Sequence, residues 1–372
     1  MNAYSILLSN ECPQGVAYAP LKEIVNIERG TRVVRNQLSE TDGYPVFQNS
    51  LTPMGYHTDS NYPGNTTFII AAGAAGEIGY SEVDFWAADD CYCLVCGDGI
   101  NSRFLYHVLL NQKPSILQKV RKASIPRLGR NVVENIRVPI PPLSVQMEVT
   151  RILDTFNALT DTLEEELTLR KKQFEYCSSA LFETILQDSD RYQISELCVL
   201  EKGKTPIQKA VPGPYPMVVT TSERKSSDEY QFDSSSVCIP LVSSRGHGVA
   251  SLNHVYYQEG KFALGNILCA LTPKDSSQLN AKYLYYYFEQ TKDYTLVPLM
   301  KGGANVALRM DDIEKVRIPL PPIETQENIV STLDIIDELC NSDKSGVCAE
   351  IEARKQQRDY YRHKLLSFDN HH

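Results

Sequence analysis

The chain has 372 residues, of which 42% are hydrophobic, so it is long enough for two or three domains with ordinary apolar cores. Its formal net charge of −9 at pH 7 argues against a general nucleic-acid coat, although its basic residues are unevenly distributed. No apolar run reaches the roughly 18 residues of a membrane-spanning helix, and the amino terminus lacks a secretory pattern, so we expect a cytosolic protein.

The first part of the chain alternates short apolar runs with Gly, Pro, Asn and Ser, which is typical of a mixed α+β domain. Residues 67–71 and 92–95 predict strands, and residues 103–110 predict a short helix. Cys93 and Cys96 have the spacing of half a zinc site, but no second pair follows at the required spacing. We therefore interpret them as part of a buried strand, and we expect no metal site, no cofactor and no disulfide framework.

Basic residues concentrate directly after the predicted short helix. Between residues 113 and 137 seven basic side chains stand against one acidic side chain, Glu134. Such a stretch can face the phosphates of a nucleic acid, although charged runs are often only solvated surface.

A proline-rich connector and a long helix follow. The connector, residues 139–142, has the sequence PIPP, whose prolines make it extended and stiff. From residue 145 to 186 apolar side chains such as Val149, Ile152 and Phe156 recur at spacings of three and four, which predicts a helix that packs against another helix. At 1.5 Å per residue it would be roughly 60 Å long. A Pro-rich ligand for a recognition domain is the competing interpretation of the connector.

The second part of the chain repeats the first. The phrase IRVPIPPLSVQ at residues 136–146 returns as VRIPLPPIETQ at residues 316–326, 180 residues later. Residues 325–366 then predict a second long helix, which carries four extra residues near residues 342–346. Four residues are about one helical turn, so the insertion returns the apolar side chains to nearly the same face. Gly346 and the four extra residues nevertheless break the regularity of the pattern, which puts the continuity of this helix in doubt.

The globular part ahead of the second connector has its own strands and basic residues. Residues 237–242 and 267–271 predict strands, and residues 281–288 predict a short helix. Between residues 201 and 225 five basic side chains stand against two acidic ones. Residues 243–248, with the sequence SSRGHG, predict either a loop whose backbone approaches a ligand or a simple tight turn.

The duplication predicts an α+β protein made of two copies of one unit, with internal pseudo-twofold symmetry. We expect globular domains over residues 1–143 and 189–323, and long helices over residues 144–188 and 324–368 that pair as an antiparallel coiled coil. The alternative is that the helices serve only dimerisation or packing.

The repeated phrase, followed each time by a helix with a Leu-Asp pair and preceded by a globular domain, resembles the specificity (S) subunit of type I restriction-modification systems. The resemblance covers nearly the whole chain. It implies that each globular domain is a target recognition domain for one half of a bipartite double-stranded DNA target, and that the helices set the gap. It also implies two modification (methyltransferase) subunits and restriction (nuclease and translocase) subunits as partners, with no catalysis in this chain.

The resemblance places subunit contacts on the repeated phrase and its helix. The candidates there are Pro141, Pro142, Gln146, Pro321, Pro322 and Gln326. Contacts with DNA cannot be transferred, because recognition domains diverge with the sequence that they read. On physical grounds we choose basic side chains for phosphate and guanine. These candidates are Lys119, Arg121, Lys122, Arg127, Arg130, Lys204, Lys209, Arg224, Lys225, Arg245 and Lys301.

Other functional classes fit the sequence less well. An adenine methyltransferase needs Asn or Asp before Pro-Pro, whereas Ile140 and Leu320 stand there, and no nucleotide-binding loop or Walker lysine motif is present. The acid-x-lysine fragment at residues 259–261 is weak for a nuclease. A coiled-coil scaffold without sequence-specific DNA binding is the main alternative, and it does not explain basic stretches in both globular parts.

Overall fold

The computed structural model describes residues 3–245, 248–341 and 346–368, which form two compact units. Unit 1 contains the chain up to residue 164 together with residues from 350 onward, and unit 2 contains residues 165–349. The chain therefore leaves unit 1, completes unit 2 and returns to unit 1 with its last helix.

The globular part of unit 1 is built from short strands and helices, which are followed by one long helix. The elements are α1 (Ala3–Glu11), β1 (Tyr18–Pro20), α2 (Leu21–Ile24), β2 (Val25–Arg29), a 3-10 turn (Arg35–Gln37), β3 (Tyr44–Phe47), β4 (Tyr56–His57), β5 (Thr66–Ile70), β6 (Ile78–Ser81), β7 (Trp86–Ala87), β8 (Cys91–Cys96), α3 (Ser102–Gln118), α4 (Arg130–Glu134), β9 (Arg137–Pro139) and the long helix α5 (Leu143–Asp188). The helix α5 runs from unit 1 into unit 2.

Three sheets organise this part of unit 1. The largest is antiparallel with the order β2-β8-β5-β6; the second has the order β4-β3-β7 with β3 and β7 parallel; and β1 pairs with β9. Helix α3 buries Phe104 and Leu105 in the same core as Ile69 of β5 and Leu94 of β8. The predicted strand around Cys93 is thus confirmed, and its cysteine side chain is fully buried, which raises the pKa of its thiol.

Unit 2 repeats this architecture. Its elements after α5 are β10 (Arg191–Gln193), α6 (Ile194–Leu197), β11 (Cys198–Lys202), β12 (Tyr215–Val218), β13 (Lys225–Ser227), β14 (Phe232–Asp233), β15 (Ser236–Pro240), β16 (Tyr256–Gln258), β17 (Lys261–Leu264), β18 (Leu268–Pro273), α7 (Ala281–Thr295), a 3-10 turn (Val297–Leu299), α8 (Met310–Glu314), β19 (Arg317–Pro319), α9 (Ile323–Asn341) and, returning to unit 1, α10 (Gly346–Leu366). Its sheets are β11-β18-β15-β16, β13-β12-β17-β14 and the pair β10-β19. The expected α+β duplication is confirmed in the sheets and their strand order. Among the described elements, β14 adds a fourth strand to the second sheet of unit 2, and α1 belongs to unit 1 alone.

The second long segment is two helices, which corrects the prediction of one helix over residues 325–366. Helix α9 ends at Asn341 and α10 begins at Gly346, whose φ of +79° is not a helical value. A Cβ at this glycine would lie 2.6 Å from the carbonyl oxygen of Leu339, so only glycine fits where the chain passes the end of α9. Residues 342–345 of the predicted insertion lie outside the described residues.

Long helices pack side by side within each unit. In unit 1 the rings of Phe156 and Tyr361 stack 5.2 Å apart, and Lys355 forms an ion pair of 2.8 Å with Glu164. Because one residue number rises as the other falls, α5 and α10 are antiparallel there. In unit 2, Phe182 of α5 lies in one hydrophobic core with residues of α9.

A fully buried glutamine fixes each proline-rich connector. The Nε2 of Gln146 donates to the carbonyl oxygens of Pro141 at 2.8 Å and Gly99 at 3.1 Å, and its Oε1 accepts from the backbone N–H of Asn101 at 2.8 Å. Asn101 is the N-cap of α3, since its side chain accepts from the backbone N–H of Phe104. One amide therefore joins the connector, the start of α5 and the start of α3.

The same bonds occur in unit 2. Gln326 donates to the carbonyl oxygens of Pro321 at 2.8 Å and Gln278 at 2.9 Å, and it accepts from the backbone N–H of Asn280 at 2.9 Å. Asn280 is in turn the N-cap of α7. The repeated glutamine of the connector phrase is thus part of the framework that orients each long helix.

A second link joins α3 to α5 through an aspartate. Asp154 accepts from the Nε of Arg103 at 3.0 Å and lies 2.8 Å from the Nε2 of His107. Burial lowers the pKa of His107, against the opposing effect of Asp154. Burial tends to raise the pKa of Asp154, but its bonds to His107 and Arg103 outweigh this effect, and the pKa is lower than normal. His107 is therefore held neutral near pH 7.

Unit 2 makes this link with different chemistry. Asp334 lies 2.7 Å from the Nζ of Lys282 and accepts from the hydroxyl of Tyr286 at 2.6 Å. Tyrosine replaces the histidine, and burial together with the bond to Asp334 raises the pKa of Tyr286.

Substitution of Gln146 by Ala should destabilise the protein by about 1–3 kcal/mol, because one backbone N–H and two carbonyl groups lose a fully buried side chain as their partner. Chemical denaturation measures the change. Gln173→Ala, at an exposed position of α5, is the matched control and should have little effect. Equal effects of the two substitutions would contradict a framework role for Gln146.

The His107 link should make the protein less stable in mild acid. The histidine has a pKa near 6.5 in the unfolded chain and a lower pKa in the folded protein. Below about pH 6.5 the unfolded state therefore binds more protons, and the free energy of unfolding decreases as the pH is lowered. The variant His107→Tyr, which copies Tyr286, should show a smaller fall in thermal midpoint between pH 7.5 and pH 5.5. Parallel curves for both proteins would contradict this assignment.

Candidate nucleic-acid interface

An exposed loop in unit 1 carries most of the candidate cations. Arg121 and Arg127 exchange two backbone hydrogen bonds of 2.9 and 3.1 Å, which close residues 121–127 into a loop. The next residue, Leu128, is buried, and its backbone N–H donates to the carbonyl oxygen of Ala71 at 2.8 Å. The backbone of this loop, here named the bridge loop, is therefore fixed to the end of β5 while its side chains are exposed.

Unit 2 has the same bridge loop at residues 301–307. Lys301 and Ala307 exchange backbone hydrogen bonds of 2.9 and 3.0 Å, and the buried Leu308 donates to the carbonyl oxygen of Leu241 at 2.9 Å. This equivalence was not predicted from the sequence. The offset of 180 residues between Leu128 and Leu308, the same as between the connector phrases, would have revealed it.

A second loop supports each bridge loop and is named the glycine loop, residues 73–76 in unit 1 and 243–248 in unit 2. In unit 1, Gly73 donates to the carbonyl oxygen of Pro126 at 3.1 Å. In unit 2, Ser243 donates to the carbonyl oxygen of Val306 at 3.0 Å. The predicted loop at 243–248 thus approaches the backbone of the bridge loop, while its residues 246 and 247 lie outside the described residues.

Six of the candidate DNA-binding residues lie on or next to these loops, and all six are exposed. They are Lys119, Arg121, Lys122, Arg127, Arg245 and Lys301. Within the described part of the chain, none of their side chains forms an ion pair. Four of them lie in unit 1 and two in unit 2. Because the chain as a whole is acidic, exposed cations without an acidic partner give each unit a local surface that attracts anions.

Two other candidates have internal partners. Arg130 forms an ion pair of 2.8 Å with Glu134 and donates to the carbonyl oxygen of Ile27 at 2.9 Å. Arg224 donates to the side chain of Gln258 at 3.0 Å, and its guanidinium lies over the ring of Tyr256 at 5.1 Å. Their guanidinium groups are held by the fold, so we expect smaller contributions from them to a DNA surface.

The remaining three candidates are exposed but lie away from the bridge loop in the chain. Lys204 follows β11, Lys209 lies before β12, and Lys225 begins β13. The structure does not assemble all eleven candidates into one surface.

The connector residues divide by exposure. Pro141, Pro321 and the two glutamines are buried within their units, whereas Pro142 and Pro322 are exposed. The exposed prolines are the connector positions that are open to solvent. In unit 2, Pro322 also lines a cavity of about 450 Å³ together with Asp190 and Gln278.

Neither a metal centre nor a membrane helix is found in the described ranges. No group of three or more His, Cys, Asp or Glu side chains there is placed to hold a metal ion. No helix of the described residues is long and apolar enough to span a membrane.

Comparison with known families matches two stretches of this chain. The sequence model for the type I restriction modification DNA specificity domain matches residues 13–170 and again residues 187–353. The two matches together cover most of the chain, and each contains one bridge loop and one glycine loop.

Full-length relatives and solved structures agree with this match. A putative type I specificity subunit of Mycoplasma pneumoniae is 26% identical over 366 residues, covering 94% of this chain and 96% of the relative. A putative type I restriction enzyme specificity subunit of Haemophilus influenzae is 28% identical, covering 95% and 96%. The crystal structure of a type I restriction-modification S subunit from M. genitalium shares the fold, with a TM-score of 0.64, 15% identity and coverage of 94% and 96%.

Proposed function

Since this chain belongs to the family of type I restriction-modification DNA specificity proteins, we propose that each of its units reads one half of a bipartite double-stranded DNA target. The observation that carries the proposal is the bridge loop, which has one backbone design in both units and different side chains. Residues 121–127 read RKASIPR, and residues 301–307 read KGGANVA. The same backbone conformation with different exposed side chains suits the recognition of two different half-sites.

The exposed cations supply the sequence-independent part of binding. Phosphate oxygens would be contacted by Arg121, Lys122 and Arg127 in unit 1 and by Arg245 and Lys301 in unit 2. We propose that residues 1–143 and 189–323 are the target recognition domains, and that residues 144–188 and 324–368 form the conserved helical parts.

The chemistry belongs to partner subunits in this proposal. Two modification subunits would bind equivalent surfaces at the exposed prolines Pro142 and Pro322, and restriction subunits would join the complex. The chain itself is non-catalytic and cytoplasmic. Helix α5 continues from unit 1 into unit 2 without a break, and its length would set the gap between the half-sites.

A coiled-coil scaffold without sequence-specific DNA binding is not supported. A scaffold does not require exposed cations without acidic partners at equivalent places in two units, and the family match covers the globular parts as well as the helices.

The complex of this chain with its modification subunits should methylate a library of random duplexes at two short motifs separated by a constant gap. Sequencing of the methylated duplexes measures the motifs. Methylation without any shared motif would contradict sequence reading by this chain.

Replacement of Arg121 and Arg127 by Ala should weaken DNA binding by the complex and reduce the slope of log K against log salt by about two, because two phosphate contacts release fewer counterions. Titrations at several salt concentrations measure the slope. The control, Lys171→Ala with Lys172→Ala, removes two exposed charges from α5 and should leave the slope unchanged. Equal losses in both double variants would remove the bridge loop from the interface.

A further inference from the structure

A polar cleft of about 390 Å³ lies beside the glycine loop of unit 1. Two arginines, Arg32 and Arg35, and two amide side chains, Gln48 and Asn49, line it together with three apolar residues. The lining contains no carboxylate. None of these residues was among the DNA-binding candidates chosen from the sequence, because they lie outside the basic stretch that follows α3.

The floor of the cleft is fixed by packing. Val33 is buried in a small cluster with Val46 and Ala88. The carbonyl oxygen of Asn49 accepts from the backbone N–H of Ala74 at 2.9 Å. At Gly73, where φ is +82°, an added Cβ would lie 2.8 Å from the Cβ of Asn49. The cleft is therefore fixed to the glycine loop and, through the bond from Gly73 to Pro126, to the bridge loop.

The polar groups of the cleft are available to a ligand. Arg32, Arg35 and Asn49 are exposed, and Gln48 is half-buried. Within the described residues, no ion pair neutralises either arginine, although the chain carries a net charge of −9. Guanidinium groups that a fold uses for its own stability are normally paired, as Arg103 is with Asp154.

We infer that this cleft reads base edges in the half-site that unit 1 binds, an inference that rests on the proposed DNA recognition. A guanidinium matches the O6 and N7 acceptors of guanine, and a carboxamide matches the donor and acceptor of adenine in the major groove. Phosphate binding alone would need only the cations, whereas two neutral amides beside two arginines add the groups that distinguish bases.

Unit 2 does not reproduce this chemistry. Strands β3 and β12 occupy equivalent places, since each pairs in parallel with one short strand, β7 in unit 1 and β17 in unit 2. The residues that follow them are Gln48 and Asn49 in unit 1 but Val219 and Thr220 in unit 2, where Val219 is buried. Changes to the cleft should therefore affect one half-site and leave the other unchanged.

The test uses the complex of this chain with its modification subunits to methylate a library of random duplexes. Sequencing of the methylated duplexes gives the recognised motif. Gln48→Ala, Asn49→Ala, Arg32→Ala and Arg35→Ala are compared with the natural chain. For a variant that removes a base contact, we expect the preference for the correct base over the other bases to fall about 5- to 150-fold at one or two base pairs of one half-site. The second half-site and the gap should not change. Gln173→Ala on α5 is the matched control for the loss of an exposed amide.

Each alternative outcome is distinct. An unchanged motif in all four variants would overturn the inference, and so would a uniform loss of affinity with the motif intact, which identifies a phosphate contact. Relaxation of both half-sites would also overturn it. If Asn49→Ala does not assemble with the modification subunits, the milder substitution Asn49→Ser is tested in the same way. Absence of any motif with the natural chain would instead refute the proposed function itself.

Discussion

Each unit depends on a buried carboxamide that joins three segments of chain. A proline-rich connector can enter a helix at many angles, because its residues form few backbone hydrogen bonds of their own. Gln146 and Gln326 remove this freedom by bonding the connector and the first residues of a neighbouring helix at once. Since both glutamine side chains are fully buried, water competes little for these bonds, and they hold the angle between the globular part and the long helix.

The duplication retains backbone roles more strictly than side-chain chemistry. Arg103 with His107 in unit 1 and Lys282 with Tyr286 in unit 2 hold an aspartate of a long helix in the same way, using different donors. The bridge loops show the same principle at the surface, where the closing bonds are kept and the exposed residues differ. A loop whose conformation depends on backbone hydrogen bonds can change its exposed side chains without losing that conformation.

The sequence predicted the architecture better than the site. The repeated connector phrase, the periodic apolar residues of α5 and the alternation at Cys93 predicted the duplication, the long helix and the strand, because these patterns are local. The insertion and Gly346 itself suggested that the second long helix is interrupted, but the positive φ of Gly346 is not visible in a helical pattern. The cleft at Gln48 and Asn49 was not predicted, because tertiary packing alone brings these amides beside Arg32. Arg130 and Arg224 were chosen for charge, which does not reveal their internal partners.

The bridge loop has a consequence for changing this protein by design. Its ends are joined by backbone bonds, and the leucine that follows it, Leu128 or Leu308, is buried. In unit 2, Val306 within the loop is buried in the same core as Leu308. In unit 1 all side chains between the closing residues are exposed, so they contribute little to the stability of the unit. Other seven-residue segments grafted into the unit 1 loop should therefore fold in place, which makes this loop a cassette for changing target preference.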